Sequence, residues 1–242
     1  MRARTNADDW EGILLVHKPI GMTSHDVVTH LRRHLGLKKI GHAGTLDPMA
    51  SGLLIMLIGR ATKASHYFSS KDKTYQGIFQ LGITTDTQDS DGQVMEEKPV
   101  PELSEDDLKK HMAHFVGDQY QLPPMYSAKK IHGKPLYKMA RKGLEVERER
   151  RFIHVYAFDL LSYHSPMVEF RLTCSKGTYV RTVAHDVGQQ LGCGAHLTQL
   201  CRIRSGEFDL ERALPLESIE NMSLASISRH LIPLREAVPL SL

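Results

Sequence analysis

The sequence predicts an α+β domain built on a mixed, largely antiparallel sheet flanked by helices and interrupted by a basic insertion. Three observations carry this. Strand-like and helix-like segments are mixed along the chain without regular βαβ alternation. One strand pair, Val155–Leu161 with Met167–Cys174, follows directly in sequence, and Val168, Phe170, Leu172 and Cys174 alternate with polar residues in its second member. The segment 123–151 lacks apolar periodicity, is basic, and carries Tyr126 and Tyr137, so it reads as an insertion projecting from the sheet.

The elements follow in order. Residues 1–11 are a polar extension without an apolar signal-peptide core. Gly12–Val16 (GILLV) reads as a short buried strand. Thr23 and Asp26 have capping-box spacing at the head of a helix carrying Val27, Val28, Leu31 and Leu35, with Gly36 as its stop. A Gly-rich stretch, Gly41–Gly52, leads into a buried strand, Leu53–Ile58, and a helix is expected from near Thr62. Thr74–Leu81 has the β-branched and aromatic content of a strand and is followed by turn-rich residues 84–92. Ser104 and Asp107 head a helix carrying Leu108, Met112 and Phe115, stopped by Gly117. After the turn Ser175–Gly177, a helical stripe of Val180, Ala184, Val187 and Leu191 ends at Gly192. One main domain is expected over 12–212, with a short helical tail over 213–242.

Bulk properties narrow the function. No apolar run reaches the ~18 residues of a membrane helix. Three cysteines without a CxxC pair exclude a disulfide framework and a zinc site, so a reducing cytoplasm is the expected home. The net charge of +3 hides segregation. Residues 129–151 hold nine Lys or Arg against three Glu, while residues 86–107 hold nine acids against one Lys. Such a division suits either a polyanion partner or a solvated charged face. Asp86, Asp89, Asp91 and Gly92 fail as a calcium loop, because Lys98 stands where the closing Glu is required. There is no Walker GxxxxGK[ST] sequence either.

The chemistry concentrates in Gly41-His42-Ala43-Gly44-Thr45-Leu46-Asp47-Pro48-Met49-Ala50-Ser51-Gly52. Three glycines and a proline set up a tight loop that presents one His and one Asp before an apolar strand. A carboxylate so held suits a nucleophile or a general base, or makes a turn with its own backbone. This segment resembles the catalytic motif of the TruB family of pseudouridine synthases. Lys18–Ser24 (KPIGMTS) resembles that family's KPxGxTS motif, and Leu81–Asp89 (LGITTDTQD) its LGxxTDTxD motif. Lys73-Thr74-Tyr75 and Lys176–Arg181 (KGTYVR) also match, so the resemblance runs from about Gly12 to Arg204.

The resemblance implies the pseudouridine synthase fold and conversion of uridine 55 in the T loop of tRNA to pseudouridine. The reaction detaches, rotates and reattaches the base, and needs no cofactor and no metal. Asp47 is the implied catalytic carboxylate, Arg181 the cation that keeps it ionised, and Tyr75 the platform for the flipped base. Tyr179 and Leu200 are implied to line the same pocket. His42 is implied to fill the stack that the flipped base leaves, and Lys18 to contact phosphate. Lys129, Lys130 and Lys134, with Lys138, Arg141 and Lys142, are expected to grip RNA phosphates from a thumb-like insertion. The expected partner is the tRNA T stem-loop, bound by a monomer, with no membrane. Members of the family commonly carry a C-terminal PUA domain, and none is expected here. Two other readings stand beside this one: a pseudouridine synthase acting on a different RNA, and a tRNA-binding folding chaperone.

Overall fold

The computed structural model describes residues 10–127, 129–131 and 133–238, without the side chains of residues 130 and 131. Most of the expected N-terminal extension therefore lies outside the described residues, but Trp10 is buried in a core. The chain forms two compact units, one of residues 1–73 and 201–242, the other of residues 74–200.

The first unit is layered around a small sheet. Gly12–Lys18 pairs antiparallel with Ser51–Ile58, which pairs antiparallel with Ile40–Ala43 as well. Leu214–Pro215 adds in parallel to Gly12–Lys18. These strands read as unbroken apolar runs because both sheet faces are covered. Leu14, Val16, Leu54, Met56 and Ile58 point to one side, against Val27, Val28, Leu31 and Leu35 of the helix Ser24–Leu35. Ile13, Leu15, Leu53, Ile55 and Leu57 point to the other, against Phe68 and Phe208. Burying each such side chain contributes about 1.5–3 kcal/mol.

The helix Ser24–Leu35 begins with the expected capping box between Thr23 and Asp26 and ends at Gly36 with φ +69°. Near Thr62 the chain first makes a 3₁₀ helix, Gly59–Ala64, and only then a short α-helix, Ser65–Ser69. After Asp209, among the described residues, it forms a 3₁₀ turn, Leu210–Arg212, and three short α-helices, Leu216–Asn221, Leu224–Arg229 and Leu234–Ala237, rather than one or two helices. Leu216, Ile219 and Ile227 from these helices close the first core.

In the second unit Gly117–Gln121, Arg151–His164 and Met167–Cys174 form consecutive antiparallel pairs. Lys73–Leu81 follows Met167–Cys174 in the sheet, and Ala195–Ser205 comes next. The mixed, mostly antiparallel α+β architecture expected from the sequence is present. Lys73–Leu81 alternates strictly between buried and half-buried positions. Phe79 packs 5.7 Å from Phe170, which meets Phe158 edge-on at 5.6 Å. Gly77 is required there: a Cβ would lie 2.5 Å from the Gln199 carbonyl oxygen.

Three further features depart from the sequence reading. Ala195–Ser205 is a strand of 11 residues that sequence pattern does not reveal, because its apolar positions do not alternate. Ile40–Ala43 is a strand within what reads as a Gly-rich loop. The helix Glu105–Ala113, capped by Ser104 as expected, stops before Phe115. Within the basic insertion, Lys130–Ile131 pairs with Lys134–Pro135 and the helix Leu136–Ala140 follows. Among the described residues, no helix is long and apolar enough to cross a membrane.

Candidate active site

In the first unit the Asp47 loop connects Ile40–Ala43 to Ser51–Ile58. The loop is irregular, so its backbone groups need partners outside regular structure. The KPIGMTS segment supplies them. The Ser24 hydroxyl accepts from the Leu46 amide at 2.9 Å and donates to the Leu46 carbonyl at 3.2 Å. The Gly21 amide donates to the Pro48 carbonyl at 2.8 Å. Lys18 Nζ donates to the carbonyls of Pro19 and Met22, each at 2.7 Å, and to Pro48 at 3.5 Å. The residues on either side of Asp47 are thus held by the segment Lys18–Ser24 upstream. The loop also bonds itself, with the Ala50 amide donating to the Asp47 carbonyl at 3.1 Å.

Asp47 is half-buried at the tip of this loop. Lys18 is fully buried, and burial pushes its ammonium down to about 8, with the Asp47 carboxylate working the other way. Expected as a phosphate contact, Lys18 has no exposed surface, and its amine is engaged by carbonyls. We propose instead that it supports the loop from within. His42 lies on Ile40–Ala43, half-buried, with Nδ1 lacking a hydrogen-bond partner. Burial, and then the charges of Arg202 and His25, hold it below the usual histidine range, so the ring is neutral.

Arg202 does not stand out in the sequence. It is 1% exposed, its Nε donates to the Leu53 carbonyl at 2.8 Å, and its Nη2 donates to the Gly44 carbonyl at 3.1 Å. No local signal marks it, because the strand Ala195–Ser205 mixes polar and apolar residues along its length.

In the second unit Arg181 sits in the first turn of the helix Val180–Gln190 and is buried. Its Nη1 lies 3.0 Å from the Asp89 carboxylate and donates to the Thr87 carbonyl at 2.8 Å. Nη2 donates to the Tyr126 carbonyl at 2.8 Å. The Asp89 carboxylate also accepts from the Thr87 hydroxyl at 2.5 Å and the Asp91 amide at 3.1 Å. Thr182 adds a bond of 2.8 Å to Gln88, whose φ is +64°. The LGITTDTQD and KGTYVR motifs therefore meet through a buried ion pair. Tyr179, half-buried, precedes the helix; its amide donates to Gln121 Oε1 at 2.8 Å, and its carbonyl accepts from Gln121 Nε2 at 3.0 Å. Tyr75 and Leu200 are buried on strands of the same unit.

The basic insertion is tied at its root. Besides the Arg181 bond to Tyr126, the Tyr126 hydroxyl donates to Asp86 at 3.1 Å, and Arg148 donates to the Pro123 carbonyl at 3.0 Å. Beyond the root, Lys134, Lys138, Arg141 and Lys142 carry the solvent-facing charge, and Lys129 is half-buried. The Lys130 side chain lies outside the described residues. Among the described residues, no group of three or more His, Cys, Asp or Glu is placed to hold a metal ion.

Comparison with known proteins agrees with these motifs. Residues 32–180 match the model of the TruB family pseudouridylate synthase N-terminal domain. Residues 181–239 match that of the tRNA pseudouridylate synthase B C-terminal domain. The chain is 57% identical over 229 residues to tRNA pseudouridine synthase B of Opitutus terrae, covering 95% of each chain. It is 47% identical to the protein of that name from Syntrophotalea carbinolica, over 94% of this chain and 74% of the relative. Among solved structures, a Cbf5–Nop10–Gar1 complex superposes with a TM-score of 0.76 at 27% identity. That match covers 97% of this chain and 64% of the other, so the present chain spans less than two thirds of that protein's length. Family model, relatives and fold converge, and the chain belongs to the TruB family of pseudouridine synthases.

Proposed function

We infer that this protein isomerises uridine 55 in the T loop of tRNA to pseudouridine. The observation that carries the reading is the Asp47 loop: a half-buried carboxylate whose neighbours Leu46 and Pro48 are pinned by Ser24, Gly21 and Lys18. A fixed carboxylate loses little orientational freedom when the substrate arrives.

The uridine N1–C1′ bond breaks, the base turns, and a C5–C1′ bond forms. The C5 proton leaves and N1 takes one up, so atoms and electrons balance without an added reagent. The target base leaves the T-loop stack at a cost of a few kcal/mol. His42, neutral and half-buried, enters the vacated space without bringing a charge into it. Asp47 acts on the sugar or base as the bond breaks. Tyr75 offers an aromatic face to the base, a contribution of about 1–3 kcal/mol per stacked base. Tyr179 and Leu200 shape the pocket, and Arg181 supplies buried positive charge. Lys129, Lys134 and the exposed cations after them hold phosphates and set position rather than sequence.

The test uses an unmodified tRNA transcript carrying tritium at C5 of its uridines. Wild type releases tritium, Asp47→Asn does not, and a transcript with cytidine at position 55 gives none. Release from the cytidine transcript would overturn the site of modification. Release by Asp47→Asn would overturn the role of Asp47.

A further inference from the structure

Arg202 has no part in the chemistry just described, yet it holds a fully buried charge beneath the Asp47 loop. The two carbonyls it reaches, Gly44 and Leu53, flank the loop on either side. One of the three motif glycines is required by its backbone, and a second lies against its guanidinium. Gly52 has φ +108°, and a Cβ there would lie 2.4 Å from the Arg202 carbonyl oxygen and 2.5 Å from its amide nitrogen. Gly44 has φ +91°, and its Cβ would meet Arg202 Nη1 at 3.4 Å. The third, Gly41, has only ordinary contact with Thr62 at 3.8 Å. Gly52 thus lets the Arg202 backbone approach, while Gly44 accepts the guanidinium through its carbonyl.

Two carbonyls can be bridged by a neutral donor, so the charge needs its own explanation. Burying a guanidinium without a carboxylate costs several kcal/mol. Among the described residues Arg202 makes no ion pair; it bonds Gly44, three residues before Asp47, and its field reaches Lys18, which the Asp47 carboxylate also reaches. We propose that Arg202 is a positioning residue for Asp47: its forked donors fix both ends of the loop, and its standing charge keeps Asp47 a carboxylate. This rests on Asp47 being the catalytic group.

The test separates fork from charge. Arg202→Lys keeps the charge but loses the planar fork. Its single-turnover rate at saturating RNA is expected to fall about 10–100-fold, as for a reacting group displaced by ~1 Å, with the RNA Kd within about two-fold of wild type. Its acid limb in the pH–rate profile stays in place. Arg202→Met loses fork and charge, so its acid limb is expected to move up by about one pH unit as well. A purely structural role would move neither the acid limb nor the rate per folded molecule, with folded fraction set by thermal unfolding. Wild-type rate and acid limb in folded Arg202→Met, or a loss confined to Kd, would overturn the proposal. If Arg202→Met does not fold, Arg202→Lys and Gly44→Ala are compared singly and together. Non-additive rate losses support a shared contact, and additive losses overturn it. Asp47→Asn runs in parallel. If it keeps turnover, the assignment of Asp47 fails; if it is inactive while the Arg202 variants are normal, only the role of Arg202 fails.

Discussion

Replacing Lys18 by Met should change stability by an amount that depends on pH, and the sign follows from the burial of the amine. Burial lowers the Lys18 pKa from 10.5 to about 8. At about 1.4 kcal/mol per pH unit, carrying that proton at neutral pH costs the folded state about 3 kcal/mol. Met fills similar volume without charge and removes this cost, but forfeits the bonds to Pro19, Met22 and Pro48. At about 1 kcal/mol each for the two short ones, the two effects nearly cancel at pH 7. Between pH 8 and 10.5 the unfolded amine still holds its proton while the folded one has released it. The unfolded state then binds more protons, so wild-type stability rises with pH across that window. The Met variant has no such gain. Urea unfolding should therefore show the variant within about 1 kcal/mol of wild type near pH 7 and about 2 kcal/mol less stable near pH 10. Other groups titrate alike in both proteins and drop out of the difference. A gap that stays constant from neutral to alkaline pH would show that Lys18 is not a buried amine of depressed pKa.

Three further outcomes are expected. Asp89→Asn removes the carboxylate beside the buried Arg181 guanidinium; breaking such a pair costs about 3–5 kcal/mol, less here because the Thr87 and Tyr126 carbonyls remain, and a melting temperature equal to wild type would contradict it. Ser24→Ala takes both side-chain bonds from Leu46. It should lose about 1–2 kcal/mol in denaturant titration and lower kcat more than RNA affinity, whereas an affinity-only defect would separate Ser24 from the Asp47 loop. Lys134→Ala with Lys138→Ala should flatten the dependence of log K on log salt by about 0.7–0.9 for each phosphate these lysines neutralise. Filter binding across a salt series reads this, and an unchanged slope would make these lysines solvated charges.

What is legible in the sequence is local. The capping box of Thr23 with Asp26, the stop at Gly36 and the cap at Ser104 are decided within a few residues, and the folded chain has them. The alternation in Met167–Cys174 is equally plain, since one face is buried. What the sequence hides depends on distant partners. Lys18 beside a Pro-Gly turn has the pattern of a solvated lysine, and its burial is set partly by Pro48, 30 positions on. Asp89 has the sequence pattern of a failed calcium ligand, and its true neighbour, Arg181, lies far along the chain, on the helix Val180–Gln190. Ala195–Ser205 escapes a pattern reading because strong alternation is lost along it, and Arg202 is hidden with it.

These hidden features share one physical cause. A loop that presents a reactive side chain has irregular backbone, and its carbonyls find no ladder to join. Long cationic side chains carry several donors and can satisfy more than one carbonyl from beneath. Each buried Lys and Arg among the described residues does this. Lys18 reaches Pro19, Met22 and Pro48, and Lys73 reaches Ser69 and Lys71. Arg181 reaches Thr87 and Tyr126, and Arg202 reaches Leu53 and Gly44. The overall charge of +3 is therefore a poor guide to RNA binding, because part of the positive charge is internal. Internal cations bias the interior of each unit toward holding a carboxylate, while Lys134, Lys138, Arg141 and Lys142 of the insertion face solvent. Neutral donors such as Gln can replace the hydrogen bonds of the first group but not its electrostatic bias. The two kinds of basic residue should accordingly separate in experiment, the buried ones through rate and pH profile and the exposed ones through affinity and salt.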